Sequence, residues 1–124
     1  MSDKLDVVGI GNAMVDAIIP SNQSEIEKHE INRDSMNLID ENLKNNLHES
    51  YSIREMAGGG SLGNSMFGIT SFGGNGSFIG KIKNDEIGVY LQKDMIREGL
   101  KFPLGFTSPD ISTGCCTIFV EEDG

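Results

Sequence analysis

Two clusters of polar and glycine residues in the 124-residue sequence have types and spacings suited to a ligand that carries hydroxyl groups. The first cluster is the segment Gly58-Gly59-Gly60-Ser61-Leu62-Gly63-Asn64. Glycines let a ligand lie against the main chain because no Cβ is in the way. The amide of Asn64 offers a donor and an acceptor together, which suits hydroxyls. The alternative interpretation is an ordinary turn from a strand into a helix, with a surface asparagine.

The second cluster is Asn12 and Asp16, which follow a short apolar run. An ionised aspartate can accept hydrogen bonds from two neighbouring hydroxyls. Apolar residues flank Asp16 on both sides, which disfavours the alternative of a solvated surface charge. Both clusters follow predicted strands, and the ligands of a parallel sheet bind in the crevice at the carboxyl ends of its strands. We therefore expect both clusters at that end of the sheet.

Two nucleotide-binding motifs are disfavoured. The segment Gly9-Ile10-Gly11 begins like a dinucleotide fingerprint, but Met14 replaces its third glycine and Pro20 interrupts the helix that should follow. A P-loop is excluded, because Asn64 stands where the glycine spacing would require a lysine. A nucleotide-binding oxidoreductase domain is therefore only a third hypothesis for this chain.

The cysteines and histidines do not predict a metal site. Cys115 and Cys116 are adjacent in a predicted strand, so their side chains point to opposite faces and cannot hold one metal together. His29 and His48 lie in polar stretches, which predicts exposed side chains. We expect neither a metal site nor a disulfide framework in these residues.

The charge balance narrows the possible partners. Nineteen acidic and ten basic residues give a formal net charge of −9, which argues against binding to nucleic acid or to an anionic membrane surface. No apolar run approaches the roughly 18 residues of a spanning helix. The amino-terminal residues lack the basic and apolar regions of a signal peptide. We expect a cytoplasmic protein.

The elements that must carry the two clusters alternate between strands and helices, which predicts an α/β fold with mostly parallel strands. Strands are predicted over residues 6–10, 15–19, 35–39, 52–56, 77–82, 101–107 and 114–120, the last two as an antiparallel pair. Helices are predicted after caps at Ser24, Asp40, Ser61 and Asn84 or Asp85. Because Asp123-Gly124 is a hairpin-turn dipeptide with nothing after it, we expect the amino-terminal part of a longer chain.

Four segments in this order resemble the ribokinase-like (PfkB) family of sugar and nucleoside kinases. They are VGIGNAMVD (8–16), GGSLGN (59–64), FGGNGSFIGKIKNDEIG (72–88) and STGCC (112–116). The patterns Gly-Asn-x-x-x-Asp and Gly-Gly-Ser-x-x-Asn are more similar to the adenosine-kinase branch than to ribokinase. The resemblance covers nearly the whole chain.

The resemblance implies a ribokinase-like α/β fold: a central, mostly parallel sheet flanked by helices, with a small β-sheet lid. The lid would come from residues 17–19, 35–39, 101–107 and 114–120. The residues that would hold the hydroxyls of a sugar or ribose are Asn12, Asp16, Gly59, Gly60 and Asn64. A homodimer through the lid is a possible assembly.

The resemblance also implies ATP and Mg²⁺ as cofactors. The family's catalytic aspartate lies in a Gly-Ala-Gly-Asp motif late in the chain, and these 124 residues contain no such motif. We therefore assign no catalytic residue here and expect no kinase activity from this polypeptide alone. The alternative function is a non-catalytic module, a pseudokinase or sensor, that binds a sugar or nucleoside in the same pocket. Which sugar or nucleoside is bound stays open.

Overall fold

A computed structural model describes residues 4–124 and confirms the α/β class. The strands are β1 (Val7–Ile10), β2 (Met14–Pro20), β3 (Glu55–Gly59), β4 (Gly76–Ile79) and β5 (Gly114–Val120). The helices are α1 (Gln23–Lys28), α2 (Glu41–Ser50), α3 (Ser61–Ser71) and α4 (Glu86–Arg97). The chain divides into two compact units, one formed by the residues up to Asp16 with Ala57–Cys116, the other by Ala17–Met56 with Thr117–Gly124.

Parallel pairing organises the first unit. β1 and β4 pair in parallel from Val7 opposite Gly76 to Ile10 opposite Ile79. Lys101 forms a parallel bridge with Ser77 of β4, and the N–H of Lys101 donates to the carbonyl of Gly76 over 3.0 Å. This parallel order follows from the intervening α4, because a helical crossover returns the chain in the same direction.

The predicted antiparallel pair of residues 101–107 and 114–120 is therefore wrong. In the first segment, Lys101 bridges to Ser77 of β4 and Phe106 to Ile82 just after it, and the segment forms no strand of its own. The second segment is β5, which lies in a three-stranded sheet of order β3-β2-β5. The two segments are neighbours in sequence but pair with different sheets.

Helix α3 packs closely on β1. A methyl group added at Gly9 would lie 2.9 Å from the sulfur of Met66, so the absence of a side chain at Gly9 lets the helix approach. Side chains alternate across a strand, so Val8 and Ile10 point away from this helix, and they are 49% and 77% exposed. The prediction of a fully buried first strand is therefore wrong for one of its faces.

The second unit has a small aromatic and apolar core. The ring of Tyr51 packs edge-on against Phe119, with centroids 5.4 Å apart, and against His29 at 5.5 Å. Nε2 of His29 lies 2.8 Å from the hydroxyl of Tyr51, and Nε2 of His48 lies 2.8 Å from that of Thr117. Both histidines are half-buried, so the prediction of exposed side chains is wrong.

The structure confirms one helix cap of this unit and corrects another. Asp40 caps α2, because its carboxylate accepts the N–H of Leu43 at 2.8 Å. Helix α1 is capped by Asn22, not by the predicted Ser24, and Glu25 completes the capping box. No helix in residues 4–124 has both the length and the apolar character needed to cross a membrane.

Residues 35–39 form no strand, contrary to the prediction. The amide of Asn37 donates to the carbonyls of Asn32 and Ser35, both over 3.2 Å. Such local bonds from an asparagine side chain compete with strand pairing. Met36 and Leu38, whose apolar character suggested a strand, are 86% and 93% exposed.

Candidate functional site

The site is built where β2, β3 and the start of α3 meet within the first unit. Asp16 lies on β2 and Gly59 ends the neighbouring strand β3. A methyl group added at Gly59 would lie 2.5 Å from Oδ2 and 2.7 Å from Oδ1 of Asp16. The carboxylate of Asp16 therefore rests directly over the main chain of Gly59. Asp16 is half-buried and Gly59 is buried.

Gly60 turns the chain from β3 into α3. It is the N-cap of the helix, with φ 79° and ψ 155°, a conformation open essentially to glycine alone. A methyl group added there would lie 3.3 Å from Cγ of Met14 and 3.8 Å from the carbonyl oxygen of Asn12. The main chain of Asn12 is thus brought beside the turn. The predicted cap, Ser61, is instead the first residue of the helix.

Asn64 lies in the first turn of α3, where its N–H donates to the carbonyl of Gly60 over 2.9 Å. Its side chain is exposed, as is that of Asn12 in the segment between β1 and β2. Among residues 4–124, no hydrogen-bond partner faces the side chains of Asn12, Asp16 or Asn64. The polar groups of all three are therefore available to a ligand.

The electrostatics of the site combine an acceptor with a set of donors. Helix α3 has no capping side chain, so the N–H groups of its first turn keep the positive end of the helix dipole open. The carboxylate of Asp16 lies over Gly59, directly before the cap. Hydroxyl groups both donate and accept, and so can use a carboxylate and peptide N–H groups together.

The charge of Asp16 also acts on the thiol of Cys116. Burial, and after it the charge of Asp16, raises the pKa of the Cys116 thiol. A raised pKa keeps the thiol neutral near pH 7, since the thiolate is the form that is disfavoured. Neither Cys115 nor Cys116 forms a disulfide. In the part of the chain that the structure describes, no group of three or more His, Cys, Asp or Glu residues could hold a metal ion.

Asp94 on α4 is a residue that the sequence analysis missed. It is buried, and its Oδ2 accepts the N–H of Gly58 at 3.1 Å, while Oδ1 pairs with the guanidinium of Arg97. It lies three residues after Leu91 and seven after Ile87, on the apolar face of the helix. An acid on an apolar face is the signal that could have identified it.

The start of α4 is closed by protein groups. Asp85, one of the two predicted caps, accepts the N–H of Gly88 at 2.7 Å. The same carboxylate accepts the N–H of Thr113 at 3.0 Å and its hydroxyl at 2.7 Å. Asp85 therefore serves the fold by tying the beginning of α4 to the residue before β5.

Solved structures with the same fold include kinases of two kinds. Adenosine kinase from Sinorhizobium meliloti matches 98% of this chain at 35% identity and a TM-score of 0.80. A probable sugar kinase from Rhizobium etli matches 97% at 32% identity and a TM-score of 0.76. Adenosine kinase from Schistosoma mansoni, in complex with 2-fluoroadenosine, shares the fold at 21% identity, with 97% of this chain covered and a TM-score of 0.75.

The chain spans 36–37% of the length of these three proteins. No protein-family model and no curated protein matches it.

Proposed function

We propose that this chain, which has the ribokinase-like fold of the PfkB kinases, forms the amino-terminal, substrate-binding part of an ATP-dependent kinase acting on a nucleoside or sugar hydroxyl. The PfkB resemblance seen in the sequence is confirmed by the adenosine kinase and sugar kinase neighbours. An adenosine-like nucleoside is the preferred substrate class, supported by the 35% identity to an adenosine kinase over 98% of the chain.

One observation supports the binding role above the others: the carboxylate of Asp16 over the bare main chain of Gly59. A half-buried carboxylate normally recovers its lost hydration through hydrogen bonds from the protein. Asp16 receives none from residues 4–124. Two neighbouring ribose hydroxyls would donate to this carboxylate, which the absence of a side chain at Gly59 allows to lie over the main chain.

In this proposal the chain's own residues bind and orient the substrate. Asp16 accepts two hydroxyl protons, and the amide of Asn64 donates to one hydroxyl oxygen and accepts from another. Gly59 and Gly60 let the sugar ring lie against the main chain, and Asn12 lines the same turn. Such positioning is a large part of phosphoryl-transfer catalysis, because little covalent chemistry falls to the protein.

ATP and Mg²⁺ are implied by the family, and we propose that their sites lie mostly outside this chain. The sequence lacks the family's Gly-Ala-Gly-Asp motif, and the described residues hold no cluster of three potential metal ligands. We therefore derive no step through either group from these residues. The proposal assigns phosphate transfer to the part of the kinase length that this chain does not span.

Calorimetric titration with adenosine, ribose and fructose tests the binding role. Asp16→Ala should weaken substrate binding by about 1.5–3 kcal/mol, or roughly 10- to 150-fold, because the hydroxyls lose a charged acceptor. Asp110→Ala is the matched control, since this exposed aspartate lies in a loop away from the described contacts of Asp16. An unchanged affinity in Asp16→Ala would show that the pocket is wrongly assigned.

Two functions can be separated by chemistry and by sequence. A coupled assay of ATP consumption should show no turnover by the 124-residue chain with any of the three substrates, and turnover would contradict its proposed role as a binding part. A polypeptide that continues beyond these residues with a Gly-x-Gly-Asp motif would favour the kinase. A continuation without that motif would favour the alternative, a non-catalytic sensor or pseudokinase.

The lid and the assembly are also parts of this proposal. Residues 17–19 of β2 and 114–120 of β5, which share a sheet, would belong to the lid, and 35–39 would join it as a loop rather than a strand. Residues 101–107, predicted as a further lid segment, bridge instead to Ser77 of β4 and to Ile82. A homodimer through the lid can be tested by sedimentation. A cytoplasmic location is supported by the two cysteines, which form no disulfide and so fit a reducing compartment.

A further inference from the structure

Asp94 is a buried acid that the proposed binding of hydroxyls does not use. Its residue exposure is only 7%, and it stands on α4 between Leu91 and Met95, which are also buried. Burying a carboxylate is costly unless hydrogen bonds and an opposite charge compensate for the lost water. Here the guanidinium of Arg97 compensates one oxygen, and a peptide N–H of the glycine turn compensates the other.

That peptide group belongs to Gly58, one residue before the glycine under Asp16. Gly58 is held from two directions. Its N–H donates to Oδ2 of Asp94 over 3.1 Å, and its Cα lies against the ring of Phe67, where an added methyl group would come within 2.7 Å of Cε2. Gly58 therefore has little freedom to move while Asp94 and Phe67 stay in place.

The position of Gly58 determines that of the residues after it. Gly59 follows directly, with the carboxylate of Asp16 over its main chain, and Gly60 then opens α3. A shift of the peptide at Gly58 would move the main chain of Gly59, on which the carboxylate proposed to bind the hydroxyls rests. Small errors of this kind in the placement of binding groups lower both affinity and rate.

We propose that Asp94 is a positioning residue, which fixes the Gly58–Gly60 turn in the form that binds substrate hydroxyls at Asp16. The ligand in this inference rests on the proposed function, but the fixing of the turn by Asp94 does not depend on a ligand. Arg97 orients the carboxylate by pairing with Oδ1, which leaves Oδ2 for Gly58. Asp94 itself touches no substrate in this arrangement.

The first test is amide hydrogen exchange on the 124-residue chain without ligand. Asp94→Ala should speed exchange at Gly58 by about tenfold or more, because the N–H loses its acceptor. Asp94→Asn should stay close to the parent chain, since the amide keeps one oxygen acceptor in the same place. Unchanged exchange at Gly58 in Asp94→Ala would overturn the inference, whatever the chain binds.

The second test is adenosine affinity, measured by calorimetry on the same variants. Asp94→Ala should weaken binding by about tenfold, and Asp94→Asn should restore most of the loss. Met95→Ala is the structural control, because it opens a cavity next to Asp94 but leaves the bond to Gly58 intact. Equal losses in Asp94→Ala and Met95→Ala would reduce Asp94 to a structural role and overturn the inference.

The two tests also separate this inference from the proposed function. If the parent chain binds none of the nucleosides or sugars, the proposed function fails, and the exchange experiment still decides whether Asp94 fixes the turn. If the parent chain binds adenosine and Asp94→Ala binds it equally well, the proposed function stands and the role of Asp94 fails.

Discussion

Helices α3 and α4 begin in opposite ways. The first turn of α4 is closed by the carboxylate of Asp85, which also binds the N–H and the hydroxyl of Thr113. The first turn of α3 is opened by Gly60, a residue with positive φ and no side chain to cap it. Both helices lie in the same unit and each follows a strand, so the difference lies in the residue at the cap.

This difference distinguishes a structural helix end from one available to a ligand. Every helix leaves its first N–H groups without partners inside the helix, and something else must satisfy them. In α4 the protein does so itself, and gains a connection to the start of β5. In α3 no side chain caps these groups, and the glycine before the cap lies under the carboxylate of Asp16. A ligand with hydroxyls would complete that end.

Removing the closed cap should have the largest effect. Asp85→Ala deprives the N–H groups of Gly88 and Thr113 of their acceptor, and Thr113 is 2% exposed, so water cannot replace it easily. A lost cap and a buried unpaired group together should lower the free energy of unfolding by about 2–4 kcal/mol. Urea denaturation followed by circular dichroism measures the change.

The matched control is Asp40→Ala at the start of α2, where the carboxylate accepts the exposed N–H of Leu43. Loss of that cap should lower the free energy of unfolding by only about 1 kcal/mol. If the two variants lost the same stability, the bonds from Asp85 to Thr113 would contribute nothing, and the contrast between the two helix ends would be weaker than we describe.

The sequence predicted only part of the difference between the starts of α3 and α4. Alternating strands and helices, the parallel order of most strands and a cap at Asn84 or Asp85 followed from local patterns, because apolar periodicity and capping are properties of neighbouring residues. The resemblance to PfkB kinases selected the glycine turn and Asp16 as one site. The prediction of Ser61 as a cap failed because residue type alone does not reveal that Gly60 has a positive φ.

The remaining errors concern contacts between distant parts of the chain. Nothing local shows that residues 101–107 pair beside β4, or that His48 meets a threonine 69 residues later. Asp94 was missed for the same reason, since its partner Gly58 lies 36 residues earlier. In 35–39, the apolar residues suggested a strand, but the side-chain bonds of Asn37 favour a turn.

A side chain added at Gly59, next to the uncapped start of α3, should have the next largest effect. A methyl group at Gly59 would lie 2.5 Å from Asp16, so Gly59→Ala forces the carboxylate or the turn to move. Strain of this kind typically costs about 1–3 kcal/mol, and we expect adenosine affinity to fall by at least about tenfold. Gly59→Val, with a larger side chain, should abolish measurable binding in the same calorimetric assay.

Gly68→Ala is the control for this change. It makes the same substitution within α3, at a position where an added methyl group meets nothing within 4 Å. Replacing a glycine inside a helix by alanine should raise stability by up to about 1 kcal/mol and leave adenosine affinity as it is. Normal binding by Gly59→Ala would remove the main geometric support for a ligand at this turn.

The smallest expected effect concerns Cys116, which reports on the charge of Asp16 at the open end. Its raised pKa, caused first by burial and then by Asp16, predicts slow alkylation by iodoacetamide at pH 8, measured in a Cys115→Ser background by mass spectrometry. Asp16→Asn removes the negative charge that disfavours the thiolate, so the pKa of Cys116 should fall and alkylation should become faster by a few-fold at most. Asp110→Asn, which changes an exposed aspartate, should leave the rate unchanged. An equal or slower rate in Asp16→Asn would contradict an effect of the Asp16 charge on the pKa of Cys116.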